Sequence, residues 1–127
     1  MSKEQIYISI GELWDKYSIL LIKMEKVSDV EKRKKIQKEQ EILNKNMDKY
    51  DYQTNQLFID LKDINNKLWD IEDKLRIKEL NKEFDEEFIS LARSVYITND
   101  KRFEYKQRIN NIFGSMIQEI KHYVEYN

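Results

Sequence analysis

A chain of 127 residues with 23 basic and 24 acidic side chains has a formal net charge of -1, which argues against duplex nucleic acid as a partner, because phosphate binding needs a net or local basic excess. The absence of cysteine excludes a disulfide framework, a thiolate metal site and a cysteine nucleophile. No apolar run approaches the ~18 residues of a membrane span, and no secretory leader pattern opens the chain, so a cytoplasmic protein is expected, folded as one domain over residues 1–127.

Zero proline and only two glycines, Gly11 and Gly114, leave long stretches without turn residues, which points to an all-α fold. Ser9 and Glu12 form an S-x-x-E capping pair. A first helix is predicted from near Ile10 to about Val27, with Leu13, Tyr17, Leu20, Leu21 and Met24 inward. Ser28 and Glu31 repeat that signature ahead of a second helix, near Asp29 to Met47, whose apolar stripe is thin: Ile36, Leu43 and Met47. Its basic run "EKRKKIQK" reads as a solvated face.

The segment "MDKYDYQTN" at 47–55 reads as a loop. The third helix, about 55 to 80, carries Leu57, Leu61, Ile64, Leu68, Ile71 and Leu75 at alternating spacings of four and three, the seam of helices packed side by side. A short fourth helix is predicted from Asp85 to Ile97 on Phe88, Leu91, Ala92 and Val95. Thr98, Asn99 and Asp100 suit an N-cap, so a turn is placed there, followed by a last helix with Ile109, Ile112, Phe113, Met116, Ile117, Ile120 and Val124 inward. The sum is a bundle of about five helices. The third, about 39 Å long at 1.5 Å per residue, exceeds what such a bundle needs, and Trp14, Tyr50 and Tyr52 lack obvious inward positions, so a symmetric homodimer is expected.

Polar residues that a plain bundle does not need are the candidates for function. On the third helix Asn65, Trp69, Glu72, Arg76 and Glu79 form one stripe beside the apolar seam. The first helix brings Glu12, Asp15 and Lys16, and the stretch "LARSVYITNDKR" brings Arg93, Tyr96, Asn99, Asp100 and Arg102. Two readings of Arg93 stand open: its stem lies on apolar surface while its head pairs with Glu72 or Glu79, or it converges with Arg76 and Arg102 on an anion, for which guanidinium forks are suited. His122 has no triad or zinc-site companions. Acidic pairs such as Glu72 and Asp73 do not reproduce the E-x-x-E spacing of helical magnesium-dependent pyrophosphatases, so neither a metal nor another cofactor is assigned.

Three motifs, L-W-x-I-E-D within "LWDIEDKLRIKE", L-A-R-x-V-Y and N-D-x-R, together with "ISIGELWDKYSILLIKMEKV" at the start, resemble a family of small helical proteins of unknown function from bacteria and their phages. The resemblance covers nearly the whole chain, departing at "EIKHY". It implies a context near glycosyltransferase or surface-polysaccharide genes, and its motifs fall on Glu12, Asp15, Lys16, Trp69, Glu72, Asp73, Arg76, Glu79, Arg93, Tyr96, Asn99, Asp100 and Arg102. A second analogy, to the helical chorismate mutases, is one of architecture and residue type only. The expected function is therefore an accessory or ligand-binding protein recognising an anionic small molecule or a partner. The alternatives are a small helical enzyme acting on a phosphorylated or carboxylated substrate, and a purely structural interaction protein.

Overall fold

A computed structural model describes residues 2–126. It contains four α-helices, α1 (Ile10–Lys26), α2 (Val30–Met47), α3 (Gln56–Leu80) and α4 (Glu86–Phe113), with one 3-10 turn at Tyr52–Thr54 and no strand among the described residues. None of these helices is long and apolar enough to cross a membrane.

Each helix begins where a short polar side chain can take an orphan backbone N–H. Ser9 Oγ accepts from the Glu12 N–H at 3.0 Å, Asp29 Oδ1 from Lys32 at 2.9 Å, Asn55 Oδ1 from Leu57 at 2.9 Å and Asp85 Oδ1 from Phe88 at 3.0 Å. The cap of α2 is thus Asp29, one residue past Ser28. Within the basic run of α2, Arg33 folds back and donates from Nη1 to the carbonyls of Met24 and Val27 at 2.6 and 2.8 Å. A cation there satisfies the last carbonyls of α1 and opposes the negative end of its dipole. Helix α3 stops in a Schellman turn: Lys82 adopts a left-handed φ of 56°, and the N–H groups of Lys82 and Glu83 return to the carbonyls of Glu79 and Lys78.

Helices α3 and α4 form a long antiparallel hairpin, and α1 packs against its open half with α2 on α1's other flank. The core lies where these elements meet: Leu13, Trp14, Tyr17, Met47, Phe58, Leu61 and Ile109. Trp14 is wholly buried, ringed by Tyr50, Phe58 and Phe113 at centroid distances of 5.7, 5.8 and 5.1 Å. Tyr52 packs on Tyr17 and Phe58 at 5.3 and 5.0 Å. The three aromatics that lacked an inward position in the sequence therefore belong to the core, because the loop at 48–55 folds back over α1.

Two expectations are corrected here. The chain does not turn at Thr98: α4 runs unbroken through it, and the bundle has four helices instead of about five. Capping residues permit a start but do not force one, and no glycine or proline lies between Glu86 and Phe113 to break the helix. Thr98 is buried, so its side chain continues the inward stripe of Leu91 and Val95. The second correction is the tail. Gly114 takes a left-handed conformation (φ 62°, ψ 44°) and ends α4, and the Ser115 N–H closes back on the Asn110 carbonyl at 2.8 Å. Residues 115–126 are irregular, and Met116, Ile120 and Val124, expected inward, are exposed.

Candidate functional site

The close approach of α1 and α4 begins at a glycine. The Gly11 N–H donates to Asn110 Oδ1 at 2.6 Å, and a Cβ at residue 11 would collide with the Lys106 carbonyl oxygen. One turn further along α1, Asp15 stands opposite Arg102 on α4. The guanidinium donates from Nε to Asp15 Oδ1 at 2.9 Å and from Nη2 to Asp15 Oδ2, a two-point fork that fixes its plane. Asp15 is buried, 1% exposed. From α3, Asn65 Nδ2 donates to Asp15 Oδ1 at 2.9 Å and to Ser18 Oγ at 2.8 Å, and Ser18 Oγ donates to the Asp15 carbonyl at 2.7 Å. Three helices thus hold one carboxylate, and that carboxylate holds one arginine.

A second ion pair lies beside the first. Lys106 Nζ bridges Glu12 at 2.8 Å and Glu119 of the tail at 2.7 Å. Burial alone would push this ammonium down, but the hydrogen bonds to Glu119 and Glu12 and the nearby Asp15 charge hold it above its ordinary value. The Arg102 guanidinium is likewise pushed up, first by its hydrogen bonds to Asp15, against the opposing effect of burial. Both cations therefore stay charged in place. The Asp15 carboxylate is thus held between Arg102 of α4 and Asn65 of α3.

Arg102 opens onto two cavities. One, of about 610 Å³, is lined by Glu12, Asn99, Arg102, Phe103, Lys106, Glu119 and Lys121 among others. The other, of about 360 Å³, has apolar walls from Ile19, Ile22, Leu68 and Trp69 and a polar rim of Glu72, Asp73, Arg76 and Arg102. The remaining guanidinium nitrogen, Nη1, makes only a 3.5 Å contact with Asn99 Oδ1. No cluster of three or more His, Asp or Glu side chains that could hold a metal ion occurs among the described residues.

Of the residues singled out from sequence, the structure brings Glu12, Asp15, Asn99 and Arg102 together and places Trp69, Glu72 and Arg76 on the neighbouring rim. Arg76 is paired on its own helix with Glu72 at 2.8 Å. Three others do not join them. Arg93 is exposed and lines neither cavity, so it neither converges with Arg76 and Arg102 nor pairs with Glu72 or Glu79. Glu79 is exposed and meets Lys82 at 3.4 Å. Lys16 faces outward on α1. The reason for Arg93 is helical phase: with α4 unbroken, Leu91, Val95, Thr98 and Arg102 share the inward face and Arg93 is turned from it.

Asp100 and Tyr96 serve the tail. Asp100 accepts from Lys121 Nζ and from the Tyr126 hydroxyl, the latter at 2.5 Å, and Tyr96 meets Tyr126 edge-on at 5.2 Å. The Lys121 and Tyr126 hydrogen bonds hold the Asp100 carboxyl below its ordinary range, while that same bond to Asp100 pushes the Tyr126 phenol up to about 12. Burial, followed by Tyr17, pushes Tyr52 up to about 12 as well. A raised phenol pKa favours the neutral form in the fold, so its contribution is complete below the ordinary value of 10.0 and is lost as pH rises through about 12. In an ultraviolet titration of tyrosinate, two of the eight tyrosines should therefore ionise near pH 12, and Asp100→Asn should bring one of them earlier. A single transition of all eight near pH 10 would contradict the tail's placement.

The sequence reading placed Asn65 in the polar stripe of α3 but did not select Lys106, Asn110, Ser18 or Glu119 for this site. A signal for Lys106 and Asn110 was present: Arg102, Lys106 and Asn110 recur at steps of four, as do Gly11 and Asp15 followed by Ser18, and two such stripes can only face each other if both helices are continuous. Glu119 carries no such signal, because the tail has no regular period in the fold.

No curated protein and no solved structure matches this chain. A family model described as a family of unknown function, DUF6165, matches residues 4–126, nearly the full length, and the chain belongs to that family.

Proposed function

We propose that this protein is a ligand-binding module whose central anchor is Arg102, presented by buried Asp15 to an anionic small molecule in the cavities on either side. The observation that carries the reading is the Asp15–Arg102 fork itself. Two of the three guanidinium nitrogens are committed to Asp15, and Nη1 keeps only a long contact to Asn99. A bundle that needed only stability could replace such a buried pair with apolar side chains at little or no loss. A fixed guanidinium edge open to a cavity is, by contrast, what planar recognition of a phosphate or carboxylate oxygen requires.

Wall chemistry favours a compact polar group on a larger neutral body. The wider cavity presents Arg102, Lys106 and Lys121, each already paired, with Asp15, with Glu12 and Glu119, and with Asp100, so it is the open Nη1 edge of Arg102 that offers an anion a donor. Phe103, Tyr123 and Ile120 supply apolar contact there, and Trp69 does so in the narrower cavity. Sugar phosphates, nucleotides and nucleotide sugars have this form, and a role in surface-glycan synthesis would use them. The carboxylates in contact with Arg102 and Lys106, Asp15, Glu12 and Glu119, are engaged by those cations, which favours binding over catalysis.

Thermal unfolding in the presence of inorganic phosphate, pyrophosphate, sugar phosphates and nucleotide sugars tests the proposal. A ligand at 100 times its dissociation constant adds about 2.7 kcal/mol to the folded state, which raises the melting temperature by about 10 °C for a domain of this size. At least one of these anions should produce a rise, and Arg102→Lys, which keeps the charge and loses the fork, should abolish it. No shift from any of them, or one that survives Arg102→Lys, would reject the site.

A further inference from the structure

Asn65 Nδ2 spends both of its hydrogens inside the bundle, on Asp15 Oδ1 and Ser18 Oγ, while its Oδ1 accepts no hydrogen bond from any described residue. The residue is only 6% exposed, and a buried amide oxygen without a partner is costly. Among the described residues, the one buried side-chain polar atom cut off from partner and solvent alike is Trp14 Nε1. Asn65 Oδ1 therefore keeps an opening, and the narrower cavity, which Asn65 lines, is where it opens.

The same face of α3 lays out the rest of that cavity. Trp69 follows Asn65 by one turn and Asp73 follows Trp69 by another, about 6 Å along the axis in each case, and all three line it. Asp73 is exposed and forms no hydrogen bond or ion pair with a described residue. Glu72 beside it holds Arg76 through Oε2. At the inner end Arg102 and Asn65 donate to the same Asp15 oxygen, each at 2.9 Å, which sets the guanidinium beside the Asn65 amide. A ring laid on Trp69 thus has an unpaired acceptor at either edge, with Arg102 next to the inner one.

Such a wall selects its occupant by what the occupant must donate. The free groups at both edges are acceptors, so the ring needs hydrogen-bond donors around its rim and an apolar face toward Trp69 and Leu68. A sugar ring has this form, with hydroxyls at its edge and C–H groups on its face. A nucleobase also stacks on an indole, but its edge mixes donors with acceptors, and an acceptor set against Asn65 Oδ1 or Asp73 loses its hydrogen bond to water without replacement. An ammonium group is drawn by Glu72 and Asp73, but Arg76 and Arg102 in the same cavity balance them. The volume of about 360 Å³ lies near the lower end for small-molecule sites and suits a single ring.

We infer that the narrower cavity is a sugar subsite: a monosaccharide ring lies against Trp69, one hydroxyl donates to Asn65 Oδ1 and another to Asp73, and the phosphate it carries turns to Arg102. This rests on the reading of Arg102 as an anion anchor and narrows it to ligands whose phosphate is borne by a sugar.

Titration of the full chain with inorganic phosphate, phenyl phosphate and the anomeric phosphates of glucose, galactose and mannose, followed by nuclear magnetic resonance, tests it. At least one hexose phosphate should bind about tenfold tighter than inorganic phosphate, and tighter than phenyl phosphate, whose ring is apolar and has no hydroxyl. Asp73→Ala, at an exposed position without partners, should bring the ratio of hexose phosphate to inorganic phosphate affinity back toward one. Bound hexose phosphate should also shield Trp69 from acrylamide quenching, to which the wholly buried Trp14 does not contribute, and inorganic phosphate should not. If inorganic phosphate binds and no hexose phosphate binds tighter, the sugar subsite is wrong while the Arg102 anchor stands. A phenyl phosphate that matches the best hexose phosphate, a ratio that survives Asp73→Ala, or unchanged quenching of Trp69 overturns the inference in the same way. No binding by any of these anions overturns both.

Discussion

Asp15→Asn is expected to lower the melting temperature by about 10 °C. Breaking a buried ion pair from one side costs about 3–5 kcal/mol, because the partner is left as an uncompensated charge. Here the lower end applies, since the Arg102 side chain retains 29% of its exposure and keeps some water. About 3 kcal/mol over a chain of this length corresponds to the stated shift. The informative comparison is the double variant Asp15→Asn with Arg102→Met. Asparagine still accepts from Asn65, methionine fills the space of the arginine stem, and no charge is stranded, so the double variant should melt well above Asp15→Asn alone. It should nevertheless show no response to any anion that stabilises the wild type. Chemical denaturation of the wild type, both single variants and the double closes the cycle. A double variant as unstable as the two losses added would mean that Asp15 and Arg102 do not act as a pair.

Gly11→Ala should be nearly as damaging, for a reason of space and not charge. The added methyl meets the Lys106 backbone carbonyl and lies 2.9 Å from Asn110 Oδ1 in the unrelaxed geometry. A backbone oxygen inside a long helix cannot swing aside, so α1 must move off α4, and overpacking of this kind costs about 1–3 kcal/mol. Loss of the 2.6 Å bond from the Gly11 N–H adds about 1 kcal/mol. Gly11 stands in the first turn of α1, where the helix-propensity gain of alanine is small. A net loss of about 2–3 kcal/mol is expected from urea unfolding. Asn110→Ala removes the same hydrogen bond without the collision and should cost less. Equal losses would show that the hydrogen bond, and not the close approach, matters at this position.

Much of the fold is legible in the sequence because α1, α2 and α3 announce themselves locally. Ser9 and Asn55 sit where caps are needed, and the spacing of Leu61, Ile64, Leu68 and Ile71 allows only one face of α3 to be inward. The failures lie where local and long-range terms compete. Thr98, Asn99 and Asp100 look like a cap in isolation, but the continuous inward face from Leu91 to Ile109 outweighs them. Met116, Ile120 and Val124 have a helical period, yet Gly114 ends α4 before it can be used, and Glu119 and Lys121 are held as side chains of an irregular strap instead. Trp14 looked unplaced because its cage of Tyr50, Phe58 and Phe113 comes from three separate segments.

The candidate site was legible in part. Asp15 and Arg102 could be named as polar residues beside the apolar stripes of their helices, but that they meet depends on α4 being unbroken and on Gly11 letting it come close. Arg93 shows the converse: the same residue type, nine positions away on the same helix, is turned outward by phase alone.

The most direct test of the central claim is a nuclear magnetic resonance titration of the five arginine Nε–H signals with inorganic pyrophosphate. The Arg102 signal, held by Asp15 at 2.9 Å, should be protected from exchange before any anion is added and should shift saturably on titration, with the exposed Arg93 signal nearly still. An unprotected Arg102 Nε–H, or shifts of equal size at Arg102 and Arg93 that never saturate, would contradict a preorganised anion site and leave the Asp15–Arg102 pair to the fold alone.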